Sequence, residues 1–75
     1  NIKGVDASFA LCDTGERVLI SGRSLGDINV QVILEELGGG GHYTEAGAQV
    51  QGKSIDEVKS ELKTVIQEKL EVDDK

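Results

Sequence analysis

Arg23-Ser24, the run Gly38-Gly39-Gly40-Gly41 and His42 are residue types that bind phosphate, and they fall within one short stretch of the chain. A guanidinium can hold two phosphate oxygens in a fork, and a neighbouring hydroxyl can add a further hydrogen bond. Glycines without a Cβ can turn successive N–H groups toward one anion. A histidine directly after them can donate to the same anion or carry a proton near neutral pH. Each feature also has a plain structural use. One glycine is a helix stop, a lone histidine beside a loop is commonly structural, and a strand-end arginine is commonly solvated. Four consecutive glycines exceed what a helix stop needs. Ala46-Gly47-Ala48 just downstream is equally stripped of bulk, as where another backbone or a ligand comes close.

Other chemistries find little support. The glycine run fits neither the P-loop nor the dinucleotide fingerprint, since no Lys-Ser/Thr pair or GxGxxG helix start follows. His42 is the single histidine and Cys12 the single cysteine, so neither an internal disulfide nor a zinc cluster can form. No nucleophile–base pair or carboxylate dyad stands out. Net charge is −6, with seven acids and four bases in 1–53 and the same numbers in 54–75. No basic patch exists to track a nucleic-acid backbone. A small phosphorylated ligand held by local donors remains compatible.

The elements that must position these residues follow from periodicity. With 75 residues the chain is one small domain, its core aliphatic because Phe9 and Tyr43 are its only aromatics. Alternation predicts a strand over Val5–Cys12, with Val5, Ala7, Phe9 and Leu11 on one face. Asp13-Thr14-Gly15 reads as a hairpin turn. A second strand spans Arg17–Arg23, with Val18 and Ile20 on one face, Ser21 and Arg23 on the other. Ile28–Leu37 fits a strand or a helix. Helix is preferred because Asp27 or Asn29 can cap its start and the glycines stand where it must end. Ala46–Gly52 is a third strand. Ser54-Ile55-Asp56-Glu57 is a capping box, and Ile55, Val58, Leu62, Val65, Ile66 and Leu70 form an apolar stripe at helical spacing. The acidic end, Glu71 to Lys75, is expected to fray. The expected architecture is a small α/β (α+β-like) domain of order β-β-α-β-α, a mixed sheet covered by two helices. No stretch is apolar and long enough to span a bilayer. Asn1 is not an initiator methionine, so the chain is expected to be part of a longer protein.

Ser21-Gly22-Arg23-Ser24-Leu25-Gly26-Asp27-Ile28-Asn29-Val30-Gln31-Val32-Ile33, followed by Leu37-Gly38-Gly39-Gly40-Gly41-His42, closely resembles the DHH-associated domain, subtype 1. The resemblance runs from about Gly4 to Lys69 and is densest from Ser21 to Ala48. It is most similar to the version that ends the membrane-anchored cyclic-di-AMP phosphodiesterases of Gram-positive bacteria. The resemblance implies that residues 1–75 are a single substrate-binding domain, and that an upstream DHH domain, absent here, binds two manganese ions. Gly38, Gly39, Gly40, Gly41 and His42 would then form the phosphate loop, His42 assisting catalysis by contact with phosphate. Arg23 and Ser24 would line the same cleft.

Asn29 is most simply a helix cap, or its amide reads a base or ribose. Tyr43 stacks on a base or packs. The implied partners are a cyclic dinucleotide or short oligonucleotide and the DHH domain in cis. No metal or cofactor is expected on this chain, and no membrane contact. Homodimerisation stays open. The implied location is cytoplasmic, with the parent protein anchored in the bacterial plasma membrane. An exopolyphosphatase, a nucleotide phosphatase, an oligoribonuclease and a single-strand exonuclease are alternatives within the same superfamily. A protein-interaction module using Ile55, Val58, Leu62 and Val65 is the alternative of another class. One departure stands out: where such domains often read Leu-Thr-Asn-Ala-Ala after the histidine, this chain has Tyr43-Thr44-Glu45-Ala46-Gly47. Glu45 brings a negative charge toward the proposed anion site.

Overall fold

The computed structural model describes residues 7–71, with the side chains of residues 70 and 71 excepted. The elements follow in the order β1 (Ala7–Asp13), β2 (Arg17–Ser24), α1 (Val30–Glu35), β3 (Gly40–Gly41), β4 (Glu45–Gln51) and α2 (Ile55–Glu71). The expected β-β-α-β-α class holds, with one more strand inserted inside the glycine run. The proposed start of the first strand at Val5 and the fraying of residues 72–75 lie outside the described residues, whereas Glu71, expected to fray with them, is the last residue of α2.

Both turn chemistries behave as the residues require. At the β1–β2 turn the Asp13 carboxylate accepts from Gly15 N–H at 2.9 Å, and Gly15 takes φ +95°. At the start of α2, Ser54 Oγ accepts from Glu57 N–H at 3.1 Å while the Glu57 carboxylate accepts from Ser54 N–H at 2.8 Å. This reciprocal pair is the expected capping box.

The sheet order is β1-β2-β4-β3. All three pairings are antiparallel, so the sheet is not mixed as expected from the sequence. The reason lies in the glycines. Since β2 and β3 are both antiparallel to β4, they run in the same direction, and α1 is the crossover between them. The crossover overshoots by one strand position. The chain then reverses through Tyr43-Thr44 and inserts β4 into the gap.

α1 is shorter than the predicted Ile28–Leu37. Asn29 Oδ1 accepts from Gln31 N–H at 3.0 Å and Val32 N–H at 3.3 Å, which fixes the start at Val30, two residues later than expected. At the other end Gly39 N–H donates to Leu34 O at 2.9 Å and Gly38 N–H to Glu35 O at 3.1 Å. With Gly38 at φ +87° this is a Schellman cap.

Both helices cover one face of the sheet. Val18, Ile20 and Ala48 from the strands meet Ile33 and Leu34 of α1 and Val58, Leu62 and Ile66 of α2 in a single buried cluster. Each fully buried branched side chain contributes roughly 1.5–3 kcal/mol. Ile55 and Val65 pack half-buried against the same cluster. The apolar stripe of α2 is therefore spent inside the domain. This is the core role its helical spacing indicates, and it takes up the residues that the alternative of a partner-binding helix would use. Opposite Gly22, the Phe9 ring fills the space a side chain would take: a Cβ there would stand 2.8 Å from Phe9 Cε1.

Two glycines of the run separate cleanly by substitution. A Cβ at Gly39 would lie 2.1 Å from Gly47 O and 2.6 Å from Ala48 Cβ, whereas a Cβ at Gly40 meets nothing within 4 Å. Gly39→Ala is expected to lower unfolding free energy by about 1–3 kcal/mol or more through overpacking. Gly40→Ala should stay within about 0.5 kcal/mol of the parent. Urea unfolding of the two variants checks the contrast.

Candidate functional site

Strand alternation gives the sheet a second, uncovered face. On β2, Leu19, Ser21 and Arg23 point away from the helices; on β4, Glu45, Gly47 and Gln49 do; on β1, Ser8, Ala10 and Cys12 do. Most of these are small, so the face is hollowed into an open groove of about 670 Å³. Ser8, Ala10, Ser21 and Gly47 line it, and Arg23, His42 and Glu45 stand at one end. A second hollow of about 760 Å³ continues along the same face past Cys12 and Gln49 to Gly38 and Gly39.

The register places the polar end. Arg23 lies directly across from Glu45 on neighbouring strands. Its Nη2 is 3.1 Å from Glu45 Oε2, with the two side chains 66% and 64% exposed. An ion pair this exposed contributes at most about 1 kcal/mol. Its consequence is chemical: the guanidinium of the groove is already partnered to a carboxylate. His42 precedes the two-residue loop Tyr43-Thr44, and its N–H donates to Glu45 O at 2.6 Å. That bond closes the β3–β4 hairpin and leaves the imidazole exposed at the groove.

The glycines divide their work. The amides of Gly38 and Gly39 are used in capping α1. Antiparallel alternation outward from the His42–Glu45 bond makes Gly40–Gly47 the next bonded pair and turns the Gly41 amide away from β4. The run therefore does not present four amides to one anion. It presents Gly40 and Gly41 backbone along the groove, beside His42.

Other residues singled out from the sequence hold the frame. Ser24 Oγ donates to Gly26 O at 3.0 Å and accepts from Gly26 N–H at 3.3 Å, closing the turn after β2. The Asn29 side chain is occupied in capping α1. Tyr43 Oη donates to Asp27 O at 2.5 Å, and Tyr43 O accepts from Val30 N–H at 3.0 Å. These bonds tie the hairpin loop to the start of α1. Arg23, Gly40, Gly41 and His42 are thus brought to one groove, while Ser24, Asn29 and Tyr43 direct their polar atoms elsewhere. Sequence reasoning missed Ser8 and Ala10, while Gly47 had been singled out for its lack of bulk. Ser8 was legible by its place in the alternation, on the face opposite Phe9. Among the described residues no group of three or more His, Cys, Asp or Glu could hold a metal ion.

Residues 1–68 match the family model of the DHHA1 domain. The chain is 46% identical over 71 residues to the cyclic-di-AMP phosphodiesterase GdpP of Geobacillus thermodenitrificans, covering 93% of this chain and 11% of that protein. It is 50% identical over 68 residues to GdpP of Bacillus subtilis, covering 89% of this chain and 10% of the relative. To the cyclic-di-AMP phosphodiesterase PdeA of Listeria monocytogenes it is 45% identical over 67 residues, covering 88% and 10%. The chain thus spans about a tenth of the length of these relatives.

The division between frame and groove can be measured. Asn29→Ala removes an N-cap and is expected to cost about 1 kcal/mol of stability. Arg23→Ala breaks only an exposed pair, and its cost should fall below about 1 kcal/mol. Thermal unfolding of both variants tests this; equal losses would contradict the assignment of Asn29 to the frame.

Proposed function

This chain belongs to the DHHA1 domain family, and on that premise we propose that it is the substrate-holding domain of a phosphodiesterase acting on a cyclic dinucleotide, cyclic-di-AMP in the first instance. The observation that carries this reading is the convergence of Arg23, His42 and the Gly40–Gly41 backbone at one end of a groove floored by small residues. The names of the relatives support the same substrate class.

In this reading the Arg23 guanidinium takes phosphate oxygens with the N–H groups that Glu45 leaves free. The His42 ring adds a donor from the adjoining loop, and the small-residue floor lets the nucleotide lie close to the sheet. Holding the phosphate in place lowers the cost of bringing water to it, and fixed donors stabilise the charge that builds during attack. Manganese and its ligands are read, from the family likeness alone, as belonging to a DHH domain outside this chain, and no step is routed through them here. The domain is read as lying on the cytoplasmic side of a membrane-anchored protein. No helix among the described residues is long and apolar enough to cross a membrane.

The test is made in the full-length protein. His42→Ala and Arg23→Ala each remove one donor to a charged group, a loss of about 1.5–3 kcal/mol. Hydrolysis of cyclic-di-AMP should fall roughly ten- to hundredfold in each, with the melting temperature close to that of the parent. Unchanged hydrolysis in both variants would sink the reading.

A further inference from the structure

We propose that Glu45 is a selectivity residue: paired with Arg23 at the end of the groove, it cancels the preference for a doubly charged terminal phosphate that an unpaired arginine would give, to the relative benefit of a singly charged phosphodiester. This rests on the groove being the substrate site proposed above.

Three observations converge on Glu45. Its carboxylate is 3.1 Å from the Arg23 guanidinium. Its backbone carbonyl accepts the His42 N–H at 2.6 Å. It lines the same groove as both residues. The cross-strand register with Arg23 and the two-residue loop before it leave its backbone no freedom to withdraw. An anion held by the Arg23 guanidinium in this arrangement lies beside the carboxylate that pairs with it.

The electrostatic consequence depends on ligand charge. An unpaired arginine attracts a dianion more strongly than a monoanion. The Arg23–Glu45 pair has no net charge, so it offers the fork of donors without that bias. An internal phosphodiester carries one negative charge. A terminal phosphate carries nearly two at neutral pH, because its second proton leaves at a pKa of about 6. A carboxylate about 4 Å from a unit charge in a water-like dielectric weakens binding by about fivefold, and the dianion meets this penalty on its additional charge. Hydrolysis of a cyclic dinucleotide adds water across one P–O bond, leaving an alcohol and a terminal monoester. The product is thus the species Glu45 disfavours, and the substrate is the one it tolerates.

The measurement is calorimetric binding by the full-length protein in chelator, where hydrolysis does not interfere. The probes are cyclic-di-AMP and linear 5′-phosphorylated diadenylate. Glu45→Gln keeps the shape and removes the charge. It should tighten the linear ligand at least about fivefold relative to the cyclic one. An unchanged ratio of the two affinities, or an equal loss of both, overturns the proposal and leaves Glu45 with a purely positioning role on Arg23. Arg23→Ala separates the two levels. If it weakens both ligands while Glu45→Gln leaves the ratio alone, only the selectivity fails. If Arg23→Ala leaves both affinities unchanged, the groove is not the site and both readings fall.

Discussion

The structure depends on one close approach, the backbone of residues 39–41 lying against β4 with no room for a side chain at Gly39 or Gly41. A Cβ at Gly39 would lie 2.7 Å from Ala48 Cα, and one at Gly41 would lie 2.6 Å from Ala46 Cα. Gly41 also takes φ +144°, outside the range that suits other residues. This contact lets a two-residue strand reach the edge of the sheet after only a six-residue helix. From it follows the hairpin through Tyr43-Thr44, the position of His42, and the register that sets Glu45 opposite Arg23. The glycines serve the groove chiefly by fixing where other donors stand.

The two faces of the sheet divide the buried core from the open groove. Toward the helices, β2 and β4 carry Val18, Ile20 and Ala48, all buried. Toward solvent the same strands carry Ser21, Arg23, Gly47 and Glu45, which leave a hollow. A strand cannot shift by one residue without exchanging these sets, so the core that holds the domain together also pins the groove's polar end. The loops are tied in the same economical way. Ser24 N–H donates to Thr44 O at 2.8 Å, and Val30 N–H to Tyr43 O at 3.0 Å. The ends of β2 and α1 thereby grip the hairpin that carries His42.

Much of this arrangement was legible in the residues. Period-two alternation gave β1, β2 and β4, and the Ser54–Glu57 box with its apolar stripe gave α2. The same alternation placed Ser21 and Arg23 on the face away from the core. What could not be read was non-local. Gly40–Gly41 has no side chains and so no periodicity, and its identity as a strand exists only through pairing with β4. Without that strand, the direction of β4 could not be deduced either. Asn29 was read as most simply a cap, Ser24 as a donor lining the cleft, and Tyr43 as stacking or packing. Which use each serves depends on partners such as Asp27 O and Gly26 O, and only the folded chain decides it. Glu45 was visible as an anomaly, but its partner was not, because the β2–β4 register was unknown.

Charge illustrates why local geometry governs here. A chain of net charge −6 repels anions at long range, and a polyanion lying along its surface would meet acids on every side. At physiological ionic strength, however, exposed charges more than about 8 Å apart are largely screened. A small phosphate seated in the groove responds chiefly to the groups lining it. Those include one guanidinium, one carboxylate, one imidazole and two glycine backbones. With Arg23 and Glu45 cancelling in net charge, discrimination passes from attraction to shape and donor direction. On the reading proposed above, an acidic domain thus takes a compact phosphodiester through local donors, without the basic surface that a long nucleic acid would need.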